Sequence, residues 1–318
     1  MAYYSRANSD VSQSSSSGFT KSDYSSKSEP SSKSESSSLA SDAEHPLTRL
    51  SNTLKSSDYP KEHHSVERLF QLHRQDLNAD RTREQFLLFT CVPPSAVDRL
   101  ASDKSRVSRF VRINYNTTTH CLITKTMPAG AHEEAIRYTD VLIFKELQAM
   151  QVDEEVEYSG STTITIGDWV KEADSSWGPF SANHKPSLVL EVGNSETDGH
   201  LTTVAHAWLE CAGANTVLTI AISQDSPKVD VKNWVLVPNV ASVTRASPGI
   251  ARCTSSLTIS KVGTSTTIIP GTGGATTITI PFDKILERDA LKPSERNLVL
   301  TESMLKRLAE RIWHKQSM

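Results

Sequence analysis

The succession of apolar segments predicts an α/β protein: a central mixed sheet flanked by helices, a β-rich C-terminal extension and a disordered N-terminal tail. Three observations carry this. Between His132 and Ile222 the apolar patterns run helix, strand, strand, helix, strand, which suits a sheet covered on both faces. After Leu257 the chain turns to short Thr- and Ile-rich runs. From Ser9 to Ser41 roughly half the residues are serine, with almost no aliphatics, too little apolar surface to offset the entropy of ordering.

These patterns divide the 318 residues into a Ser-rich tail, 1–64, and a single globular domain, 65–318. Within the domain the core falls at about 130–240, the β-rich extension at 250–282 and a terminal helix at 301–314. The stretch 42–64 is polar and broken by Pro46 and Pro60. Val66, Leu69, Phe70 and Leu72 then share a helical face, and Pro93-Pro94 separates Phe86–Phe89 from a short helix starting at Ser95. Val107–Tyr115 and Cys121–Thr124 read as strands.

His132–Met150 has the clearest helical stripe: Ile136, Ile143, Leu147 and Met150. Ser161–Ile166 alternates as a strand, and Asp168–Lys185 reads as a polar loop. Ser187–Val192 is an apolar strand holding one carboxylate, Glu191. Leu201, Val204, Ala205, Trp208, Leu209 and Ala212 line one helical face that Gly213 should end. Val217–Ile222 is apolar throughout, as expected of a strand covered on both faces. Trp234–Val237, Leu257–Val262, Thr267–Ile269 and Thr276–Ile280 add strands, with a turn at Gly271–Gly274. Leu305, Leu308, Ala309 and Ile312 place a last helix on the core.

A net charge of −3 and a pI near 6.4 argue against coating nucleic acid by bulk charge, while leaving room for a local basic groove. Arg99, Lys104, Arg106, Arg109 and Arg112 read as a solvated basic face. Cys91, Cys121, Cys211 and Cys253 show no metal or disulfide spacing and read as free thiols of a reducing compartment. With no apolar run long enough to span a bilayer and no signal-like start, the expectation is a cytoplasmic or nuclear protein without a membrane partner. Phosphate-loop, GxSxG and HExxH motifs are absent from the sequence.

Chemistry centres on the acidic residues. A carboxylate in a strand as apolar as that of Glu191 must be ion-paired or bound to a metal. Asp174 sits in the preceding polar segment, and Glu133 and Glu134 open the long helix. Trp208 reads as core; His200 and His206 read as surface or satisfied core histidines.

Lys171-Glu172-Ala173-Asp174, a spacer, and Glu191-Val192-Gly193 resemble the Asp…Glu-x-Lys motif of the PD-(D/E)xK, restriction-endonuclease-like superfamily. The resemblance covers roughly residues 130–240 and extends to Trp208-Leu209 and Val217–Ile222. PSLVLEVGNSE and IPFDKIL…LAERIW are similar to fungal proteins of the same class. The resemblance implies a nuclease-like core in which Asp174 and Glu191, with Glu133 or Glu134 and the Val192 carbonyl, hold Mg²⁺ for phosphodiester hydrolysis. The chain departs from the motif at Gly193, where the family has its lysine, and at Ala173, where it has proline. Lys171 or Lys185 would have to replace that lysine as a catalytic group. Three readings follow: a Mg²⁺-dependent nuclease, a degenerate relative that binds nucleic acid or protein, and an assembly protein using the Thr/Ile-rich strands. The oligomeric state stays open.

Overall fold

The computed structural model describes residues 45–61, 63–80, 83–102, 110–127, 130–161, 163–180, 185–194, 198–238 and 249–318. The serine-rich tail, Ser195-Glu196, and Lys104, Arg106 and Arg109 lie outside them. The fold is mixed α/β, with mixed sheets flanked by helices and a strand-rich C-terminal region.

In chain order, α1 (Pro46–Thr53), β1 (Ser56–Asp58), α2 (His63–Ala79), β2 (Phe86–Thr90) and α3 (Pro94–Ser102) precede the hairpin β3 (Val111–Asn116) and β4 (Cys121–Thr126). The long helix α4 (Ala131–Met150) follows, then β5 (Val156–Tyr158), β6 (Thr163–Ile166), β7 (Trp169–Glu172), β8 (Ser175–Pro179) and β9 (Leu188–Asn194). After α5 (Asp198–His206) come β10 (Thr216–Ile222), β11 (Lys228–Val237), β12 (Ile250–Val262), β13 (Ser265–Pro270) and β14 (Ile278–Ile280). The chain closes with α6 (Phe282–Leu286), β15 (Leu298–Leu300) and α7 (Glu302–Gln316).

The strands form two large sheets. One has the order β1-β2-β4-β3-β7-β6, the other β13-β12-β11-β10-β9-β8-β5, and β14 pairs with β15. Both are mixed: β1–β2 and β9–β10 run parallel, and the other pairs run antiparallel. The chain crosses from the first large sheet to the second at Ala173-Asp174, between β7 and β8.

Those two strands correct the expectation of a polar loop over Asp168–Lys185. Trp169, Lys171, Ser175, Ser176 and Trp177 are buried, and both strands have partners on each side, so their backbone groups are satisfied. The polar side chains that suggest a loop are inward-facing and paired instead. Pro46–Thr53, within the stretch that reads as polar lead-in, is likewise a helix. Its N-terminus is capped by the His45 side chain, which accepts from Leu47 N, and Leu47 and Leu50 are buried.

Packing follows the two-residue period of the strands. In β9, Leu188, Leu190 and Val192 face α4 and α7, joining Ile143, Leu147, Leu305, Leu308 and Ile312 in the largest core. Val189 faces the other way, against Trp208, Leu209 and Val217. Helices α2 and α3 cover one face of the first sheet; α1 covers the other through Leu47 and Leu50 against Phe86, Leu88 and Trp169. Beyond His206 the helix widens into a π-helical turn over Ala207–Cys211, in which Ala212 N donates to Ala207 O at 3.1 Å. Gly213 follows at φ +70°, a left-handed conformation that glycine adopts without strain and that ends the helix. No helix among the described residues is long and apolar enough to cross a membrane.

If α1 belongs to the folded unit, Leu47→Ala will cost about 2–5 kcal/mol in urea unfolding. Leu72→Ala, at a half-exposed position, will change stability by less than about 0.5 kcal/mol. Equal, small effects would show that α1 is not packed.

Candidate functional site

The crossing between the sheets carries the candidate site. Asp174 lies at the crossing itself, Glu191 in the middle of β9, Lys171 and Glu172 at the end of β7, Arg112 and Lys125 opposite one another on β3 and β4, and His132 in the first turn of α4. The side chains of Asp174, Glu191, Lys125, Lys171 and His132 are at most 5 % exposed.

Each acid has a basic partner. Lys125 Nζ donates to Asp174 Oδ2 at 2.8 Å and to the Val192 carbonyl at 2.6 Å, and lies 3.5 Å from Glu191 Oε2. Lys171 Nζ lies 3.3 Å from Glu191 Oε1 and donates to Asn114 Oδ1 at 3.2 Å. Arg112 spans Asp174 and Glu172, at 3.7 and 3.8 Å. Trp208 Nε1 donates to Glu191 Oε1 at 2.5 Å, so the core tryptophan also serves the charge. His132 Nε2 donates to the Val192 carbonyl at 2.9 Å and lies 3.5 Å from Asp174 Oδ2; a carbonyl can only accept, which fixes the hydrogen on Nε2. Asp174 Oδ2 also accepts from Val192 N at 2.9 Å, continuing the β8–β9 ladder with a side chain where the strand pairing ends.

Burial alone would push the Asp174 carboxyl up, but Lys125, His132 and Arg112 hold it well below the usual carboxylate range. Burial pulls the Lys171 amine down, against the attraction of Glu191. Glu172 is pushed up to about 7 by burial, which Arg112 offsets only in part.

Of the residues singled out from sequence, Asp174, Glu191, Lys171 and the Val192 carbonyl come together. Glu133 is not brought to them: its half-exposed carboxylate pairs with Arg74 at 2.8 Å. Neighbouring Glu134 is bound by Arg137 and Arg311. A helix turns about 100° per residue, so the His132 that reaches the cluster and Glu133 must diverge. Lys185 packs beside Gly213, before the start of β9. Arg112 is not part of a solvated face but is buried in the cluster. His206 pairs with Glu210 at 2.9 Å, and His200 stacks edge-on against Phe86.

Sequence reasoning missed Lys125, Arg112 as a buried charge, His132 and Asn114. The signal was available for two of them: a cation inside an apolar strand demands a partner as strongly as Glu191 does.

The oxygens of Asp174, Glu191 and the Val192 carbonyl are the hard donors that Mg²⁺ favours. They converge, however, on the Lys125 ammonium, whose three N–H groups match the three oxygens. Metal–oxygen bonds of about 2.1 Å would need the position that the ammonium holds, so Mg²⁺ does not fit beside Lys125. The carboxylates are also already compensated: Asp174 and Glu191 face Lys125, Lys171 and Arg112, and Glu172 lies beside Arg112. Among the described residues, no group of three or more His, Cys, Asp or Glu side chains is arranged to hold a metal.

No family model matches the chain, and no curated protein matches it. Among solved structures it is similar to one described as a "putative nuclease belonging to DUF820" from Anabaena variabilis. The identity is 13 % and the TM-score 0.34, over 62 % of this chain and 90 % of that one.

Two outcomes test the site. Trp208→Phe keeps the ring but removes the donor to Glu191, and will cost about 1–3 kcal/mol in chemical unfolding. Glu172 binds its proton more tightly folded than unfolded, so its ionisation lowers stability as pH rises from 4.5 to about 7. Glu172→Gln will therefore gain stability over the wild type by up to about 3 kcal/mol at pH 8, and little at pH 4. A pH-independent difference between the two would refute the raised carboxyl.

Proposed function

We propose that this chain is a nuclease-like domain that binds nucleic acid without cutting it. One observation carries the reading: the cluster at the expected catalytic position is buried and charge-compensated. Cleavage needs a scissile phosphate in contact with the carboxylates and a water to attack it. Side chains at most 5 % exposed, with their charges already neutralised, offer neither access nor an unfilled electrostatic demand. Removal of either ion-pair partner would strand a buried charge, so the arrangement is fixed rather than poised.

A surface for a polyanion lies elsewhere. Between α4 and α7, Arg137, Arg307, Arg311, His314 and Lys315 line a cleft of about 330 Å³ with Glu134 and Glu310. Four permanent cations face two carboxylates there, and Arg307 and Lys315 form no ion pair among the described residues. Glu134, 3 % exposed, anchors Arg137 and Arg311 from below. Such a cleft suits phosphates contacted by charge rather than bases read by hydrogen bonding.

The decisive test incubates the purified chain with single- and double-stranded DNA and RNA in Mg²⁺ or Mn²⁺, then measures binding across a salt series. The expectation is no cleavage, and binding that weakens steeply with salt. In Arg307→Ala/Lys315→Ala the slope of log affinity against log salt will fall by about 2. Metal-dependent cleavage abolished by Asp174→Ala would restore the nuclease reading. Absence of both cleavage and binding would refute the reading and leave a protein-binding or assembly domain.

A further inference from the structure

We propose that the Lys125 ammonium is the resident cation of this centre, and that it masks a divalent-metal site made of Asp174, Glu191 and the Val192 carbonyl. The inference rests on the non-catalytic reading of the cluster and explains what that cluster uses in place of a metal.

The geometry is specific to one nitrogen. Lys125 Nζ has the Val192 carbonyl oxygen at 2.6 Å, Asp174 Oδ2 at 2.8 Å and Glu191 Oε2 at 3.5 Å. A carboxylate from the inter-sheet crossing, one from β9 and a main-chain carbonyl meet around one amine here, and each oxygen is costly to bury without a donor or a cation. The carbonyl is held in place independently, by the hydrogen bond from His132 Nε2 at 2.9 Å. Asp174 is held by Val192 N at 2.9 Å, and Glu191 by Trp208 Nε1 at 2.5 Å. The oxygen cage thus keeps its shape through contacts that do not involve Lys125. Lys125 itself reaches in from β4, a strand of the other large sheet, and its amine fills the cage with a single positive charge. β9 carries Gly193 where the superfamily that the sequence resembles has its lysine, and the cation comes instead from β4.

Lysine to alanine at 125 removes that charge and opens a space bounded by hard oxygens, which is what Mg²⁺ and Mn²⁺ bind. The experiment uses the full chain and Mn²⁺ as the probe, read by calorimetric titration and by thermal unfolding with and without EDTA. The wild type will neither bind Mn²⁺ in an Asp174-dependent way nor change its Tm on chelation. Lys125→Ala will melt lower than wild type, bind one Mn²⁺ and recover several degrees of Tm when it is added. Lys125→Ala/Asp174→Ala will do neither. Asp174-dependent Mn²⁺ binding by the wild type overturns the proposal. So does a Lys125→Ala protein that binds no more Mn²⁺ than the double variant, or that stays unfolded in its presence. These readouts require no nucleic acid, so they stand apart from the tests of cleavage and binding.

Discussion

Burying a carboxylate at the junction of two sheets is the constraint on which this structure depends. Asp174 sits where the backbone leaves one sheet for the other, with its side chain fully buried. There it can persist only if cations come to it, and they come from both directions: Lys125 and Arg112 from the first sheet, His132 from the helix that covers the second. β3, β4 and α4 each bring one of these basic groups, and β7 brings Lys171 to Glu191 beside them. Breaking such a pairing costs about 3–5 kcal/mol, because it strands the remaining charge.

Much of the scaffold is legible in the residue pattern, since it rests on local periodicity. The α4 stripe, the apolar runs of β9 and β10 and the face ending at Gly213 follow from neighbours a few residues apart. Glu191 also announces itself, as an acid in an apolar strand. Its partners do not. Lys125 and Lys171 are 66 and 20 residues away along the chain, and nothing local says which cation meets which acid. The same blindness makes β7 and β8 read as a loop: their polar residues are satisfied by groups that only the folded chain brings near. Local composition also hides α1, whose two buried leucines sit among polar residues.

The role of Trp208 shows how one residue can answer two requirements. By spacing it belongs to the apolar face of its helix, and it packs there. The π-helical turn in which it lies changes the side-chain register by one residue, and its indole N–H meets Glu191 rather than the solvent. The groups around Asp174 and Glu191 neutralise their charge within the protein.

The alternation of β9 has a consequence for folding fidelity. Displacing this strand by a single residue against β10 would turn Glu191 toward the leucines and isoleucines beneath α4, and present Val192 to the Trp208 indole. Apolar strands this uniform discriminate poorly between neighbouring alignments, because one valine or leucine replaces another at small cost. The single carboxylate makes the misaligned pairing prohibitive, so Glu191 acts as a proofreading mark that selects the native alignment of the sheet's centre.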